Sequence, residues 1–159
     1  MLFPRLGFLS LLLALTVLPS TDLYLMGRHQ DHSVMRGVAP SHKALHHGVN
    51  CSLSTNNVLN PFTPFGDCSL VRMANLYANI CQVGAKGDIR ECFNMISSRS
   101  AKLMNLKNYG LTPGCFADLV VLDAATVEEA VAELAPVLYV FKRGRKTVSR
   151  ERPIMHRPN

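Results

Sequence analysis

Residues able to do chemistry are thinly spread along this chain, and their spacing excludes several chemistries. The cysteines, Cys51, Cys68, Cys81, Cys92 and Cys115, are five in number, more than ten residues apart, and form no Cys-x-x-Cys. Neither a zinc ribbon nor a complete disulfide framework fits, so a reducing compartment is expected. His29 and His32 come nearest to a metal pair, but they stand in a stretch that reads as a loop, which does not fix their directions. His42, His46 and His47 do not sit at a strand end either. Asp22 and Asp31, the only carboxylates in 19–40, read as solvated loop acids. Asn56 and Asn57 close the polar run Ser54-Thr55-Asn56-Asn57 after an apolar segment, where an asparagine ordinarily satisfies nearby backbone. An amide oxygen can approach a metal weakly, but it carries no charge and cannot take a proton.

The elements that must position these residues can be read from apolar runs and punctuation. The run 13–18 ends at Pro19 and reads as a buried parallel strand, followed by a long irregular stretch over 19–40. Loops of that length in a compact domain are usually functional. Ser41 is expected to cap a short helix over 41–47 that Gly48 ends, and 49–53 reads as a second buried strand. A strand, a helix and a strand imply a crossover that makes the two strands parallel neighbours. Asn60-Pro61-Phe62-Thr63-Pro64-Phe65-Gly66 is a rigid loop, after which Asp67 or Ser69 caps a helix over 70–82. Helices over 89–96 and 98–104 follow, with Met73, Tyr77 and Met104 as core positions. A Pro113-Gly114 turn then leads to a strand over 117–122, a helix over 127–134, and a hairpin of 137–142 and 146–149 around Gly144. These late strands form a small sheet of their own.

Composition sets the outer bounds. At 159 residues the chain is too short for a complete large α/β barrel of about 250 residues. Apolar residues make up 48% and charged residues 18%, which excludes a disordered chain and predicts a core. The net charge of +6 does not imply a nucleic-acid partner, because seven of the seventeen basic residues lie in the last eighteen positions as a solvated tail. Arg5 before the apolar run 6–18 imitates a secretory signal, but Leu18 and Pro19 spoil the cleavage site and the run is too short to span a membrane. A cytoplasmic protein is expected, with a signal-like N-terminus as the alternative.

Two sets of motifs carry a resemblance. Gly110-Leu111-Thr112-Pro113-Gly114 followed by Ala117-Asp118-Leu119-Val120, after a helix, resembles the C-terminal signature of the amidohydrolase superfamily. Upstream, Leu25-Met26-Gly27-Arg28, Arg36-Gly37, Gly48-Val49-Asn50 and Asn57-Val58-Leu59-Asn60-Pro61-Phe62-Thr63-Pro64-Phe65-Gly66 resemble the cytosine deaminase branch. That branch has Leu-Gln-Gly-Arg, Arg-Gly, Gly-x-Asn and an Asp-Pro-Trp-Tyr-Pro-x-Gly loop in the same order. The resemblance runs from about Ala14 to Thr147.

It implies an α/β fold: the last two strands and helices of a metal-dependent (β/α)8 barrel, plus part of a small β domain. By this reading 1–12 is an apolar leader, signal-like or a mis-start, 13–108 is the partial barrel, 109–150 belongs to the small domain, and 151–159 is a basic tail. The family hydrolyses C–N bonds in cyclic amidines or amides with a divalent metal, zinc or iron. Its metal-binding histidines lie on earlier strands, so this chain is expected to bind none by itself. The aspartate at the end of the eighth strand, which touches the metal and serves as base, matches Asn56, and the substrate-facing position beside it matches Asn57. Met26 stands where the branch has a glutamine, so the resemblance makes it a candidate substrate contact, although packing is the ordinary role of a methionine there.

Three readings of Asn56 follow: an ordinary loop residue, a degraded catalytic position, or a member of a subgroup with another base. The chain as a whole reads as a truncated amidohydrolase, inactive in isolation, whose open barrel edge invites self-association. The alternatives are a non-catalytic interaction module and a small secreted or membrane-associated basic protein.

Overall fold

The computed structural model describes residues 13–157; the expected leader 1–12 lies outside them. Strand β1 (Ala14–Val17) and strand β2 (Asn50–Leu53) pair in parallel, Ala14 opposite Asn50 and Val17 opposite Leu53. The expected crossover is there. β2 is buried along most of its length by the helices packed on it, whereas Ala14, Leu15 and Thr16 of β1 are exposed.

The stretch after β1 departs from expectation. Helix α1 (Pro19–Leu25) occupies its first third. Pro19 reads as a strand stop, but proline's fixed φ also suits the first helical position, and Asp22 adds a favourable charge in the first turn. Asp22 N–H closes that turn on Leu18 O at 2.9 Å. Asp22 is therefore a helix residue. Helix α2 (Ser41–Leu45) also starts differently, with Pro40 at the cap and Ser41 turned inward. Gly48, with φ of +81°, lets the chain reverse so that Gly48 N–H reaches Leu45 O at 2.9 Å.

Helix α3 (Leu70–Ile80) begins at Ser69, whose hydroxyl accepts from Arg72 N–H at 3.3 Å; Asp67 accepts from Ser69 N–H at 3.0 Å instead of capping the helix. Helices α4 (Lys86–Met95) and α5 (Ser98–Leu103) follow. Together with α2 they cover β2, and the core gathers Val17, Cys51, Leu53, Tyr77, Cys92 and Met95. Met73 and Tyr77 are buried as expected, but Met104 is 57% exposed, because it falls one residue past the end of α5.

The second sheet is an antiparallel β3 (Leu119–Leu122), β4 (Val137–Lys142), β5 (Arg145–Ser149) meander. Arg143 and Gly144, at φ of +48° and +76°, form the two-residue turn that matches strand twist in a hairpin. Asp118 ties this turn down through Arg143 N–H and the Lys142 ammonium. Between β3 and β4, helix α6 (Val127–Ala132) packs on α3 and α4, with Val131 in the main core and Arg90 paired to Glu128 at 2.6 Å. The tail 151–157 is exposed, and Arg152 pairs with Asp123 at 2.7 Å. No described helix is long and apolar enough to cross a membrane.

Candidate functional site

β1 and β2 end side by side, and the chain leaving each is tied to the other. Ser54 N–H donates to Val17 O at 3.0 Å, extending the pairing past the strands. Beyond that point hydroxyls take over. Thr21 Oγ1 donates to Thr55 O at 3.0 Å, so the 2.8 Å contact between Thr21 and Thr63 must use the Thr63 proton. Thr55 Oγ1 likewise donates to Asn57 O at 2.8 Å and receives from Ser20 at 3.3 Å. Thr21 and Thr63 are buried, and each of these hydroxyls has one assigned direction. Asn60 finishes the loop: its Oδ1 accepts from Phe62 N–H and Thr63 N–H at 3.0 and 3.1 Å, and its Nδ2 donates to Asn57 Oδ1 at 2.9 Å.

The two candidate amides therefore differ. Asn57 is half-buried and committed to Asn60. Asn56 sits three residues past β2 in the left-handed region, φ +60°, a conformation that asparagine tolerates better than most residues. Its side chain is exposed, with no protein hydrogen bond among the described residues. Met26 caps the C-terminus of α1, 41% exposed.

A cavity of about 640 Å³ opens beside Thr55. Its walls come from Ser20, Leu23 and Tyr24 of α1, from Arg28 and Arg36 of the following loop, from Phe65 and Gly66, and from Arg72, Met73 and Leu76 of α3. The Arg72 guanidinium and Ser69 N–H hold the Asp67 carboxyl down to about 2. Tyr24, Arg28, Arg36 and Phe65 had no assigned role in the sequence. Gly27-Arg28 and Arg36-Gly37 were visible as motifs, but their common destination depends on how α1 lies against α3.

The other chemical candidates lie elsewhere. His29 and His32 are exposed, and His46 Nε2 stands 3.8 Å from Asp88. His42 is buried against Tyr77, with Nδ1 2.8 Å from the phenol. The five cysteines are free; burial raises the thiols of Cys51, Cys81 and Cys92, that of Cys92 to about 12. No three His, Cys, Asp or Glu side chains gather into a metal site among the described residues.

Comparisons with known proteins agree with this architecture. The profile of the amidohydrolase family matches residues 5–149. N-isopropylammelide isopropyl amidohydrolase from Pseudomonas sp. (strain ADP) is 32% identical over 113 residues, 70% of this chain and 28% of the relative. The structure of 5-methylcytosine deaminase from Klebsiella pneumoniae liganded with 5-fluorocytosine superposes with a TM-score of 0.83 at 27% identity, over 91% of this chain and 35% of that one. N-isopropylammelide isopropylaminohydrolase from Burkholderia multivorans ATCC 17616 gives a TM-score of 0.64 at 26% identity, over 72% and 29%. The chain thus spans about a third of the length of these relatives. With the family profile covering nearly all of it, this chain belongs to the amidohydrolase family and is of the cytosine deaminase-like kind.

Proposed function

We propose that the chain is the C-terminal segment of a metal-dependent (β/α)8 barrel with part of its small β domain, from an enzyme that hydrolyses C–N bonds in cyclic amides or amidines. The observation that carries this reading is the superposition on 91% of the chain with only 35% of 5-methylcytosine deaminase. Supporting it, β1 and β2 are parallel, both run into the polar cluster, and the edge of β1 that is unpaired among the described residues is where preceding barrel strands would pair. The five free thiols fit a reducing cytoplasm.

The family generally uses a divalent metal. The donors at these strand ends, Asn56, Asn57, Thr55 and Thr63, are neutral, and no cluster of ionisable ligands accompanies them among the described residues. This donor set does not fit such an ion by itself. What the segment supplies is a positioned surface: the hydroxyl chain fixes the loop, and Asn56 offers one acceptor and two donors, matching the edge of a ring amide. Asn56 cannot accept a proton from water, so on this reading the isolated chain does not turn over.

The experiment is to assay the chain on 5-methylcytosine and N-isopropylammelide with zinc or iron, alone and co-expressed with the part of 5-methylcytosine deaminase that it does not match. Turnover is expected only in the assembled pair, and low there. Hydrolysis by the isolated chain that survives Asn56→Ala would overturn the reading.

A further inference from the structure

The strand-end cavity carries a charge pattern that hydrolysis does not explain. Three guanidinium groups line it, those of Arg28, Arg36 and Arg72, and no carboxylate does. Arg72 is held by Asp67, Nη2 to Oδ2 at 2.8 Å with Nε at 3.2 Å from both oxygens. Arg28 and Arg36 pair with no carboxylate among the described residues.

Arg28 is also built into place. Gly27 before it has φ of +66°, where any other residue would be strained, and a Cβ there would stand 2.2 Å from Val34 Cγ1 and displace that side chain. Gln30 N–H closes this turn on Gly27 O at 3.0 Å. The guanidinium lies 4.5 Å from the centre of the Tyr24 ring, and its Nε donates to Tyr24 O at 3.3 Å. Its two terminal nitrogens have no protein acceptor among the described residues. Tyr24 meets Phe65 edge to face at 6.0 Å, and Leu23, Met73 and Leu76 supply apolar walls.

We propose that this cavity binds a flat ring bearing an anionic oxygen, with the ring on the aromatic and apolar walls and the charge on Arg28 and Arg36. A guanidinium fork recognises paired oxygens, and uncompensated positive charge concentrates anions at a cleft. The volume falls within the range of about 300–1,000 Å³ typical of small-molecule sites. A neutral ring would leave both forks unused, and a bare inorganic anion would leave the apolar walls uncovered. The proposal deepens the reading above by giving the charge of its substrate class, and it is tested by binding alone, so it stands or falls apart from turnover.

The test is calorimetric titration of the 159-residue chain at low salt with benzoate and with barbiturate, each against its neutral counterpart, benzamide and uracil. One site per chain is expected, with either anion preferred over its neutral partner by about tenfold or more. The stronger of the two anions tells a carboxylate from a ring oxygen. Arg28→Gln and Arg36→Gln should each weaken the anion about tenfold, while Arg145→Gln on the distant hairpin should change nothing. Arg36→Gln and Arg28→Lys carry the test should Arg28→Gln lower the melting temperature. Equal affinity for anion and neutral ring, binding unchanged in both Gln variants, phosphate binding as tightly as either ring, or no saturable binding would each overturn the proposal.

Discussion

Two polar clusters in this molecule are built from similar side chains and end in opposite states. One is sealed: the Tyr77 hydroxyl accepts from His42 N–H at 2.9 Å and from Ser41 Oγ at 3.1 Å. Its own proton therefore goes to His42 Nδ1 at 2.8 Å, which sets the imidazole with its proton on Nε2. Burial raises the Tyr77 phenol to about 12, so it stays neutral. The other cluster is open: the Ser20, Thr21, Thr55 and Thr63 hydroxyls satisfy one another but deliver the chain to Asn56, exposed and uncommitted. A polar group whose partners are all inside the fold holds structure, and one left exposed without a partner is free to meet a ligand. On that basis His42 and Tyr77 are scaffold, and the strand ends are the candidate site.

The comparison can be broken most forcefully at Asn56. In the assembled barrel, Asn56→Asp should raise turnover by about 10²–10⁴, the usual contribution of a general base, and Asn57→Asp should not. Next is Tyr77→Phe, which strands two buried donors and an acceptor and should cost about 3 kcal/mol. By circular dichroism the melting temperature should fall by about 6–12 °C.

Smaller differences lie within the open cluster. Thr21→Val removes both an acceptor for Thr63 and the donor to Thr55 O and should cost about 2 kcal/mol, whereas Thr63→Val removes only the head of the chain and should cost about 1 kcal/mol. Urea midpoints would order them, and equal values would show that the assigned proton directions are wrong.

The sealed cluster also predicts a pH dependence. Burial lowers the His42 pKa, with Lys43 and His46 acting the same way and Asp88 against them. An unfolded histidine titrates near about 6.5, so as pH falls the unfolded chain takes up the proton first. The His42 contribution is complete above that value and is lost as pH falls through the lower folded one. Urea midpoints between pH 7.5 and 5 should decline in the parent and decline less in His42→Gln.

Local signals carried much of this fold. The parallel pair was legible because 13–18 and 49–53 are apolar runs bounded by breakers, and the last hairpin because Gly144 follows a charged turn residue between two β-branched stretches. α1 was not legible, because proline punctuates a strand end and a helix start alike. Met104 shows the limit of periodicity at a frayed helix end, where one residue decides between core and solvent. The candidate site was half legible: Asn56 and Asn57 stood out by their place in the family motif, but the commitment of Asn57 is set by Asn60. The His42–Tyr77 contact joins residues 35 positions apart and the cavity gathers residues from Ser20 to Leu76, separations over which no spacing rule reaches.

The central claim, that the open strand ends perform the chemistry while the sealed cluster only holds them, is tested most directly by turnover per folded molecule in the assembled barrel, measured side by side for Asn56→Asp and Tyr77→Phe. The account predicts a rise of about 10²–10⁴ for the first and no change for the second. An already active parent that Asn56→Asp leaves unaltered, or a folded Tyr77→Phe variant without activity, would contradict it.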